Sequence, residues 1–344
     1  MKALVAMSGG VDSAAAAVLL KRQGYKVEGV TLDLFKGATD IINDAKQVCR
    51  TLDIPFHLLE LKDVFKTKVI DTFVCGYVSG STPNPCVDCN KAIKFGALFD
   101  YAMGLGFDYL ATGHYAEVVF DSGNDKYLLK RPADKSKDQT YVLYSLTQEK
   151  LARVLFPLAD LTKGKARELA AEHGLLNAQK PDSQDICFIE DGDYAGFIER
   201  NIPQGVSQGE GDFIDTAGNV LGRHKGLIHY TIGQTKRLGM SFGERKYVLN
   251  KCGRTNTVTV ANEKDLYVDT FTAGNINLIS IEKIPDKMPV TVKTRYNQAA
   301  VPAVISQSNE KITAELLLPQ KAITPGQAAV FYDGDVVVGG GTIL

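Results

Sequence analysis

Short apolar runs separated by helical patterns organise the first part of the chain. Residues 3–7, 27–34 and 56–61 are apolar enough for buried strands, and helical patterns over residues 13–23 and 39–52 lie between them. Strands that alternate with helices are typical of parallel β/α units. The pattern therefore predicts an α/β fold with an open parallel sheet in the N-terminal region.

A second glycine turn follows a later strand. Helical signals over residues 90–105 lead to an apolar run over residues 109–115 that contains Gly113, and helices are predicted over residues 148–155 and 163–173. Open parallel sheets bind ligands beyond the carboxyl ends of their strands. We therefore expect the turn at Gly113 to face the glycine turn that follows the first strand.

The composition changes after about residue 200. Residues 201–253 are rich in glycine and basic side chains, and short alternating runs such as residues 290–294 and 328–338 follow beyond about residue 270. We predict three domains: an α/β domain over residues 1–200, a small mixed central domain over 201–269 and a β-barrel-like domain over 270–344.

The bulk composition narrows the class of protein. With 44% apolar and 23% charged residues, the chain is of the ordinary globular type. Six cysteines are too few for a secreted disulfide scaffold, and no apolar stretch is long enough to span a bilayer. We expect a cytoplasmic protein with no membrane partner and no cleavable signal. The net charge of -1 neither demands nor forbids a nucleic-acid partner.

The glycine turn after the first strand carries the first chemical signal. It reads Ser8-Gly9-Gly10-Val11-Asp12-Ser13. Glycines let backbone N–H groups approach a polyphosphate, and the helix that follows directs its positive end at the anion. The carboxylate of Asp12 suits Mg²⁺, and the lack of a following lysine argues against γ-phosphate transfer. The string resembles the PP-loop of the N-type ATP pyrophosphatases, which implies ATP cleavage to AMP and pyrophosphate.

Three cysteines carry the second signal. Cys86 and Cys89 form a Cys-x-x-Cys pair, and Cys187 lies far along the chain. A persulfide on one cysteine can release its outer sulfur when a second thiolate attacks it, so this set suits sulfur transfer. Lys91 and Lys94 would lower the thiol pKa values if they also lie close in space. A lone Cys-x-x-Cys pair is weak support for structural zinc.

Several further motifs occur in the order seen in bacterial tRNA-specific 2-thiouridylases, and the resemblance spans the chain. Besides the PP-loop they are residues 82–91, 111–115, 137–141 and 180–188, followed by Gly233-Gln234, Arg295-Tyr296 and Pro325-Gly326-Gln327. The resemblance implies a Rossmann-like PP-loop domain, and an enzyme that uses ATP and Mg²⁺ to adenylate the C2 oxygen of the wobble uridine of tRNA before sulfur replaces it.

The resemblance also implies roles for individual residues. Cys187 corresponds to the persulfide-bearing cysteine and Cys89 to the cysteine that attacks it, with Asp12 as a third catalytic residue. ATP contacts are implied for Ala6, Met7, Ser8, Gly9, Gly10, Val11, Asp12, Ser13, Leu32 and Gly113. Contacts with the anticodon loop of tRNA are implied for Asn84, Pro85, Cys86, His114, Lys137, Asp138, Gln139, Arg295, Tyr296 and Gln327.

One position departs from the pattern. Many members of this family have aspartate where this chain has Cys86, so the proton-transfer step near the uridine lacks its usual carboxylate. The substitution leaves Cys86, Cys89 and Cys187 as alternative ligands of a [4Fe-4S] cluster that could bind sulfide. The persulfide and cluster routes both stay open, as does the sulfur donor, either a cysteine desulfurase or a sulfur-relay protein.

Basic side chains of the central region suit RNA binding, and two rival functions are compatible with parts of the sequence. The basic side chains Arg223, Lys225, Lys236 and Arg237 are predicted to contact phosphates. A PP-loop synthetase acting on a small molecule would share the glycine turn without needing Cys89 and Cys187. A non-enzymatic RNA-binding protein could keep a degenerate nucleotide loop and a structural metal.

Overall fold

The computed structural model describes residues 1–175, 186–189, 191–203 and 209–344. Its strands are β1 (Lys2–Ala6), β2 (Lys26–Asp33), β3 (Phe56–Glu60), β4 (Tyr109–Ala111), β5 (Glu117–Asp121), β6 (Lys126–Lys130), β7 (Val154–Leu155), β8 (Gly211–Ile214), β9 (Val220–His224), β10 (Tyr247–Cys252), β11 (Thr257–Ala261), β12 (Tyr267–Leu278), β13 (Met288–Lys293), β14 (Val301–Ser308), β15 (Lys311–Lys321), β16 (Ala328–Asp333) and β17 (Val336–Ile343). The α-helices are α1 (Val11–Arg22), α2 (Thr39–Thr51), α3 (Lys62–Phe65), α4 (Asp71–Ser79), α5 (Pro85–Asp88), α6 (Leu98–Gly104), α7 (Gln148–Leu151), α8 (Lys163–Glu172) and α9 (Tyr194–Asn201).

The N-terminal region forms the predicted parallel sheet. Its strands lie in the order β3-β2-β1-β4-β7 and pair in parallel throughout. Helix α1 returns across this sheet on a row of alanines, residues 14–17, that are at most 1% exposed. Such small side chains let α1 approach both the sheet and α8, so the turn that precedes α1 is held at the carboxyl end of β1.

One predicted helix is wrong in its second half. Helix α7 ends at Leu151, and the residues after it form the edge strand β7, in which Val154 lies opposite Leu110 of β4. A β-branched valine loses rotamer freedom in a helix, and pairing with the open edge of β4 satisfies the backbone instead. The apolar pattern of residues 148–155 alone could not reveal this tertiary pairing.

The C-terminal region closes into a barrel. Strand order β12-β15-β14-β13-β16-β17 is completed by pairing of β12 with β17, so each barrel strand has two neighbours. The predicted run over residues 328–338 is the hairpin of β16 and β17, which turns at Gly334 with φ of 57°. The barrel prediction is confirmed.

The hairpin β5–β6 had no counterpart in the sequence analysis. It lies within the predicted first domain, yet it joins the barrel sheet, because Val336 of β17 pairs with Lys130 of β6. The α/β and barrel regions therefore share a sheet and a core, in which Leu129 packs with Tyr332 and Val337.

The central region is a small sheet of mixed direction, as predicted. Its order is β10-β11-β8-β9, with β8 and β11 parallel and the other neighbours antiparallel. The core beneath it centres on Phe213, Tyr230 and Val248. The predicted domain boundaries at residues 200 and 269 stay a prediction. Across the described ranges, no helix combines the length and the apolar character that a membrane span requires.

Candidate active site

The PP-loop occupies the turn between β1 and α1. Gly9 has φ of 69°, and Gly10 caps α1 in an extended conformation without any side-chain hydrogen bond to the helix. Ser13 Oγ donates to the carbonyl of Gly10 over 3.1 Å and accepts from the N–H of Ser8 over 3.2 Å. These contacts hold the turn in shape around the amino end of a twelve-residue helix, where backbone N–H groups suit a polyphosphate.

The second glycine turn faces the first, as predicted. A Cβ atom placed on Gly113 would lie 2.7 Å from the carbonyl carbon of Asp12 and from the nitrogen of Ser13. A Cβ on Gly9 would lie 3.0 Å from Asp44 Cβ in α2. Both glycines are therefore required by close backbone packing, and Asp44 is a carboxylate beside the loop that the sequence analysis did not single out.

Asp12 is engaged inside the protein. Lys163, at the start of α8, donates to both of its carboxylate oxygens over 2.8 and 2.7 Å, and the Tyr115 hydroxyl donates over 2.9 Å. Gln139 in turn accepts a hydrogen bond from the N–H of Tyr115 over 2.8 Å. A Mg²⁺ ion would have to share this carboxylate with Lys163 or displace it. No local sequence signal points to Lys163, because it lies 151 positions away from Asp12.

The remaining predicted ATP contacts border this turn. Ala6 ends β1, and Met7, only 3% exposed, donates from its N–H to the carbonyl of Val30 over 2.7 Å. Leu32 lies in β2 and packs into the apolar cluster that also contacts Cys89. Leu32 thus connects β2, the neighbour of β1, to the packing around Cys89.

Cys86 and Cys89 lie at a helix start that the sequence specifies. The Asn84 side chain accepts from the N–H of Cys86 over 3.1 Å, and Pro85 occupies the first turn of α5, where its missing N–H costs nothing. Cys86 is exposed and Cys89 is partly buried. The Asn-Pro-Cys-x-x-Cys string therefore caps a helix while it presents Cys86 to solvent.

Cys187 is brought to the same place by its neighbour. The ring of Phe188 packs against Phe65 at 5.5 Å and Phe73 at 5.9 Å between centroids. Phe188 and Cys89 contact one apolar cluster, and Cys187 itself is exposed. The structure thus brings Cys187 next to the Cys86–Cys89 helix although about a hundred residues separate them.

The electrostatics of the cysteines differ from expectation. Burial raises the pKa of the Cys89 thiol to about 12, with Lys94 lowering it and the neighbouring Cys187, Cys86 and Asp88 raising it. Cys187 is exposed as a residue, but desolvation of its thiol by the surrounding protein also raises its pKa, with Cys86 adding to the rise and Lys94 opposing it. The expectation of lowered thiol pKa values is wrong for this conformation, because desolvation outweighs the lysine. Lys91 acts instead on Asp88, whose pKa burial raises to about 6.

His114 forms a buried wall beside this site. It is 6% exposed, its Nδ1 lies 2.7 Å from Thr112 Oγ1, and its Nε2 lies 3.5 Å from Lys94 Nζ. Burial and the Lys94 charge hold the pKa of His114 well below its usual range. His114 is therefore neutral, and it can accept from the Lys94 ammonium while Thr112 fixes its other nitrogen.

The three cysteines do not form a preorganised metal site. In the ranges that the structure describes, no group of three cysteine, histidine, aspartate or glutamate side chains is positioned to hold a metal ion. The donors of the suggested [4Fe-4S] cluster are near one another but not convergent, so the arrangement does not fit the cluster as it stands.

The predicted tRNA residues of the loop after β6 are largely engaged in the protein. Asp138 accepts from Thr140 N over 2.9 Å and lies 3.4 Å from Arg131 Nε and 4.0 Å from Lys293 Nζ. Its side chain is 8% exposed. Gln139 accepts from the N–H of Tyr115, whose hydroxyl donates to Asp12 of the PP-loop.

Of the predicted tRNA residues of the barrel, Tyr296 and Gln327 lie near the cysteine helix. Tyr296, 37% exposed, has a pKa that burial raises, with smaller contributions from Asp138 and Cys86. Arg295 donates to the carbonyl of Ala322 over 2.6 Å. Gln327 donates to the carbonyl of Thr82, also over 2.6 Å, so its amide contacts the segment that precedes Cys86.

The basic side chains of the central region divide into two groups. Arg223 is paired with Asp212 over 2.7 Å within its own sheet. Lys236 and Arg237 are exposed beside an open cavity of about 380 Å³ that Arg245 also lines. The motif over residues 180–185, which the resemblance singled out, lies outside the described residues.

Comparisons with known proteins define the class first. Residues 1–191 match the family model of the tRNA methyl transferase HUP domain, residues 196–262 that of the tRNA methyl transferase PRC-barrel domain, and residues 268–343 that of the aminomethyltransferase beta-barrel domain. The α/β, central and barrel regions thus match three consecutive models of one tRNA-enzyme architecture.

Full-length relatives specify the family further. The tRNA-specific 2-thiouridylase MnmA of Lachnoclostridium phytofermentans is 44% identical, over 100% of this chain and 99% of the relative. MnmA 2 of Caldanaerobacter subterraneus subsp. tengcongensis is 47% identical over 99% and 97%, and MnmA of Treponema denticola is 47% identical over 100% and 98%. The chain belongs to the family of the tRNA-specific 2-thiouridylases.

Proposed function

We propose that this protein is an ATP-dependent tRNA-uridine 2-sulfurtransferase that thiolates C2 of the wobble uridine through a persulfide on Cys187. The observation that carries the proposal is that the PP-loop after β1 lies beside the cysteines Cys86, Cys89 and Cys187. Two residues connect these parts of the site: Leu32 packs into the cluster that Cys89 contacts, and His114 lies next to Lys94. The family models are named for methyl transfer, whereas an ATP-cleaving loop beside paired thiols suits activation and sulfur insertion.

The first step is activation of the uridine. Backbone N–H groups at the start of α1 bind the polyphosphate. Asp12 and Asp44 are the carboxylates beside the loop that would hold Mg²⁺, which would neutralise part of the phosphate charge. The C2 oxygen attacks the α-phosphorus, the bond to the β-phosphate oxygen breaks, and pyrophosphate leaves. The oxygen is now part of an AMP leaving group.

The second step is transfer of sulfur. The outer sulfur of the Cys187 persulfide bonds to C2, and AMP leaves with the oxygen. The Cys89 thiolate then attacks the inner sulfur, so the bond between the two sulfurs of the persulfide breaks and its electron pair stays on the transferred sulfur. A Cys89–Cys187 disulfide results, and an external thiol reductant restores both thiols.

The aspartate that many members of the family have near the uridine is absent from this chain. In this chain Cys86 occupies that position, and Lys94 is the cation whose charge favours the thiolates of Cys89 and Cys187. Because burial keeps Cys89 protonated in the free enzyme, its attack requires a change of surroundings once tRNA is bound. The Cys89 thiol thereby stays inactive until the substrate is in place.

Nucleoside analysis tests the function. Unmodified tRNA is incubated with ATP, Mg²⁺, a cysteine desulfurase and cysteine, and its nucleosides are then separated by mass spectrometry. Wild-type enzyme should produce 2-thiouridine in amounts stoichiometric with AMP, and Cys187→Ser should produce none. A wild type that cleaves ATP without tRNA would favour a small-molecule synthetase, and one that binds tRNA without cleaving ATP would favour a binding protein.

Iron and sulfide analysis tests the sulfur route. The persulfide route predicts substoichiometric iron after anaerobic purification and a mass increase of one sulfur on Cys187. About four irons per chain, lost in Cys86→Ser, would instead support the cluster route. A direct pull-down with a cysteine desulfurase and with a small relay protein would identify which one supplies the sulfur.

A further inference from the structure

The segment that precedes the catalytic cysteines is clamped between two other regions of the molecule. Gly80 to Asn84, here named the strap, joins α4 to α5 and so sets the position of Cys86 and Cys89. From the barrel, Pro325 accepts from the N–H of Thr82 over 2.9 Å, while Gln327 donates to the carbonyl of Thr82.

The central sheet holds the strap from the opposite side. A Cβ on Gly80 would lie 2.9 Å from the carbonyl oxygen of Lys251, and a Cβ on Gly253 would lie 2.8 Å from that of Ser79. Gly80 also has φ of 96°, which favours glycine. The end of β10 therefore packs backbone to backbone against the start of the strap.

Lys251, the residue in this contact, carries an unusual buried charge. It is 6% exposed, its ammonium donates to the carbonyl of Ser81 over 3.4 Å, and it lies 5.2 Å from the centroid of the Tyr77 ring. Burial lowers the pKa of Lys251 to about 8. Within the described ranges no carboxylate forms an ion pair with it. A buried cation is costly to keep without a counter-ion, and replacement by an apolar residue would avoid that cost.

We propose that Lys251 is a positioning residue for the sulfur-transfer step, fixing the strap from the central region while Gln327 fixes it from the barrel. Neither side chain needs to contact the reacting atoms. Both donate to consecutive carbonyls, those of Ser81 and Thr82, which lie five and four residues before Cys86. Because the two donors belong to different regions, movement of either region relative to the α/β sheet changes the position of the cysteine helix. The proposal rests on the function proposed above.

The test separates ATP activation from sulfur insertion. Lys251→Met, Lys251→Arg and, as matched control, Lys264→Met at an exposed site of the same region are compared with wild type. Two products are measured with the same tRNA: pyrophosphate released and 2-thiouridine formed. Lys251→Met should release pyrophosphate within about twofold of wild type, yet thiolate with a kcat about 10- to 100-fold lower at an unchanged KM for tRNA. Lys251→Arg, which keeps a charged donor, should recover most of the thiolation, and Lys264→Met should match wild type.

The variant Gln327→Leu provides a second test of the clamp, and this test decides the proposal if Lys251→Met does not fold. As a strap anchor, Gln327 should show the same loss of kcat for thiolation at an unchanged KM for tRNA. If Gln327→Leu raises only the KM for tRNA and leaves kcat unchanged, Gln327 contacts tRNA and the two-sided clamp is wrong. Equal loss of both products in Lys251→Met, or no loss of either, would overturn the role of Lys251. If the wild-type enzyme forms no 2-thiouridine, the proposed function itself is wrong, and this result is distinct from a failure of the clamp.

Discussion

The ATP loop and the cysteine site are built on opposite principles. The loop over residues 8–13 is shaped by contacts among its own residues, such as that of Ser13 Oγ with Gly10, and Lys163 and Tyr115 add hydrogen bonds to Asp12 from farther along the chain. The cysteine site is assembled from Cys86–Cys89, from Cys187 and from a strap that two other regions clamp. We therefore expect ATP binding to depend mainly on local geometry, and sulfur chemistry to depend on the relative positions of the α/β, central and barrel regions.

The two sites also differ in whether they can act without a rearrangement. The helix start of α1 offers its N–H groups without rearrangement. The Cys89 thiol is kept protonated by burial, with a pKa of about 12. In the proposed function, activation is therefore preset and sulfur delivery is conditional.

The sharpest test is the reactivity of Cys89 in the free enzyme. With a pKa of about 12, its thiolate fraction at pH 8 is about a thousandfold below that of an ordinary cysteine. Iodoacetamide should therefore alkylate Cys89 about a thousandfold faster in urea than in the native state, and the native rate should rise about tenfold per pH unit between pH 8 and 11. Peptide mass spectrometry with time measures both rates.

Cys252 serves as the internal control for this alkylation. A hydrogen bond with Thr255 lowers the pKa of Cys252, so its native rate should not fall below its rate in urea. The raised pKa of Cys89 also stabilises the fold below pH 9, and that contribution is lost as the pH rises toward 12. Rapid native alkylation of Cys89 at pH 8 would contradict the conditional part of the contrast.

On the ATP side, Gly113→Ala should be the most damaging small substitution. Its methyl group would stand 2.7 Å from the backbone at Asp12 and Ser13, so the start of α1 must shift. A shift of this size should lower tRNA-dependent pyrophosphate release about a hundredfold. Gly104→Ala at the end of α6 has no heavy atom within 4 Å of the new methyl group and should leave the rate unchanged. Equal rates for the two variants would show that the loop tolerates displacement.

The Asp12–Lys163 pair tests how far the loop is truly local. Lys163→Met removes the cation that holds Asp12, and we expect pyrophosphate release to fall about tenfold while the KM for MgATP rises. Tyr115→Phe removes a single hydrogen bond to the same carboxylate and should cost less than Lys163→Met. Steady-state kinetics at varied MgATP measures both. The reverse order would mean that Tyr115 rather than Lys163 orients Asp12.

The same contrast explains what the sequence could predict. The glycine turn, the α/β alternation and the barrel are encoded in local patterns, and the facing turn at Gly113 follows from strand polarity. The pairing of Cys89 with Cys187 came only from family resemblance, since no local pattern links positions so distant. Lys163, the edge strand at Val154 and the clamp at Lys251 depend on tertiary contacts, which the hydrophobic pattern does not contain.

The basic residues of the central region should affect the salt dependence of tRNA binding. Lys236 and Arg237 are exposed, and in the described part of the chain neither forms an ion pair, whereas Arg223 is held by Asp212 over 2.7 Å. If the exposed pair contacts phosphates, replacing both with alanine should reduce the slope of log Kd against log salt concentration by roughly 1 to 2.

The matched control for that slope is Arg223→Ala, a cation of the same region already committed to a carboxylate. It should leave the slope unchanged, because a side chain held by Asp212 displaces no counterions from tRNA. Fluorescence anisotropy with labelled tRNA at several salt concentrations measures both variants. A lower slope for Arg223→Ala would mean that tRNA draws Arg223 away from Asp212, and the central region would then resemble the cysteine site in being completed only by its substrate.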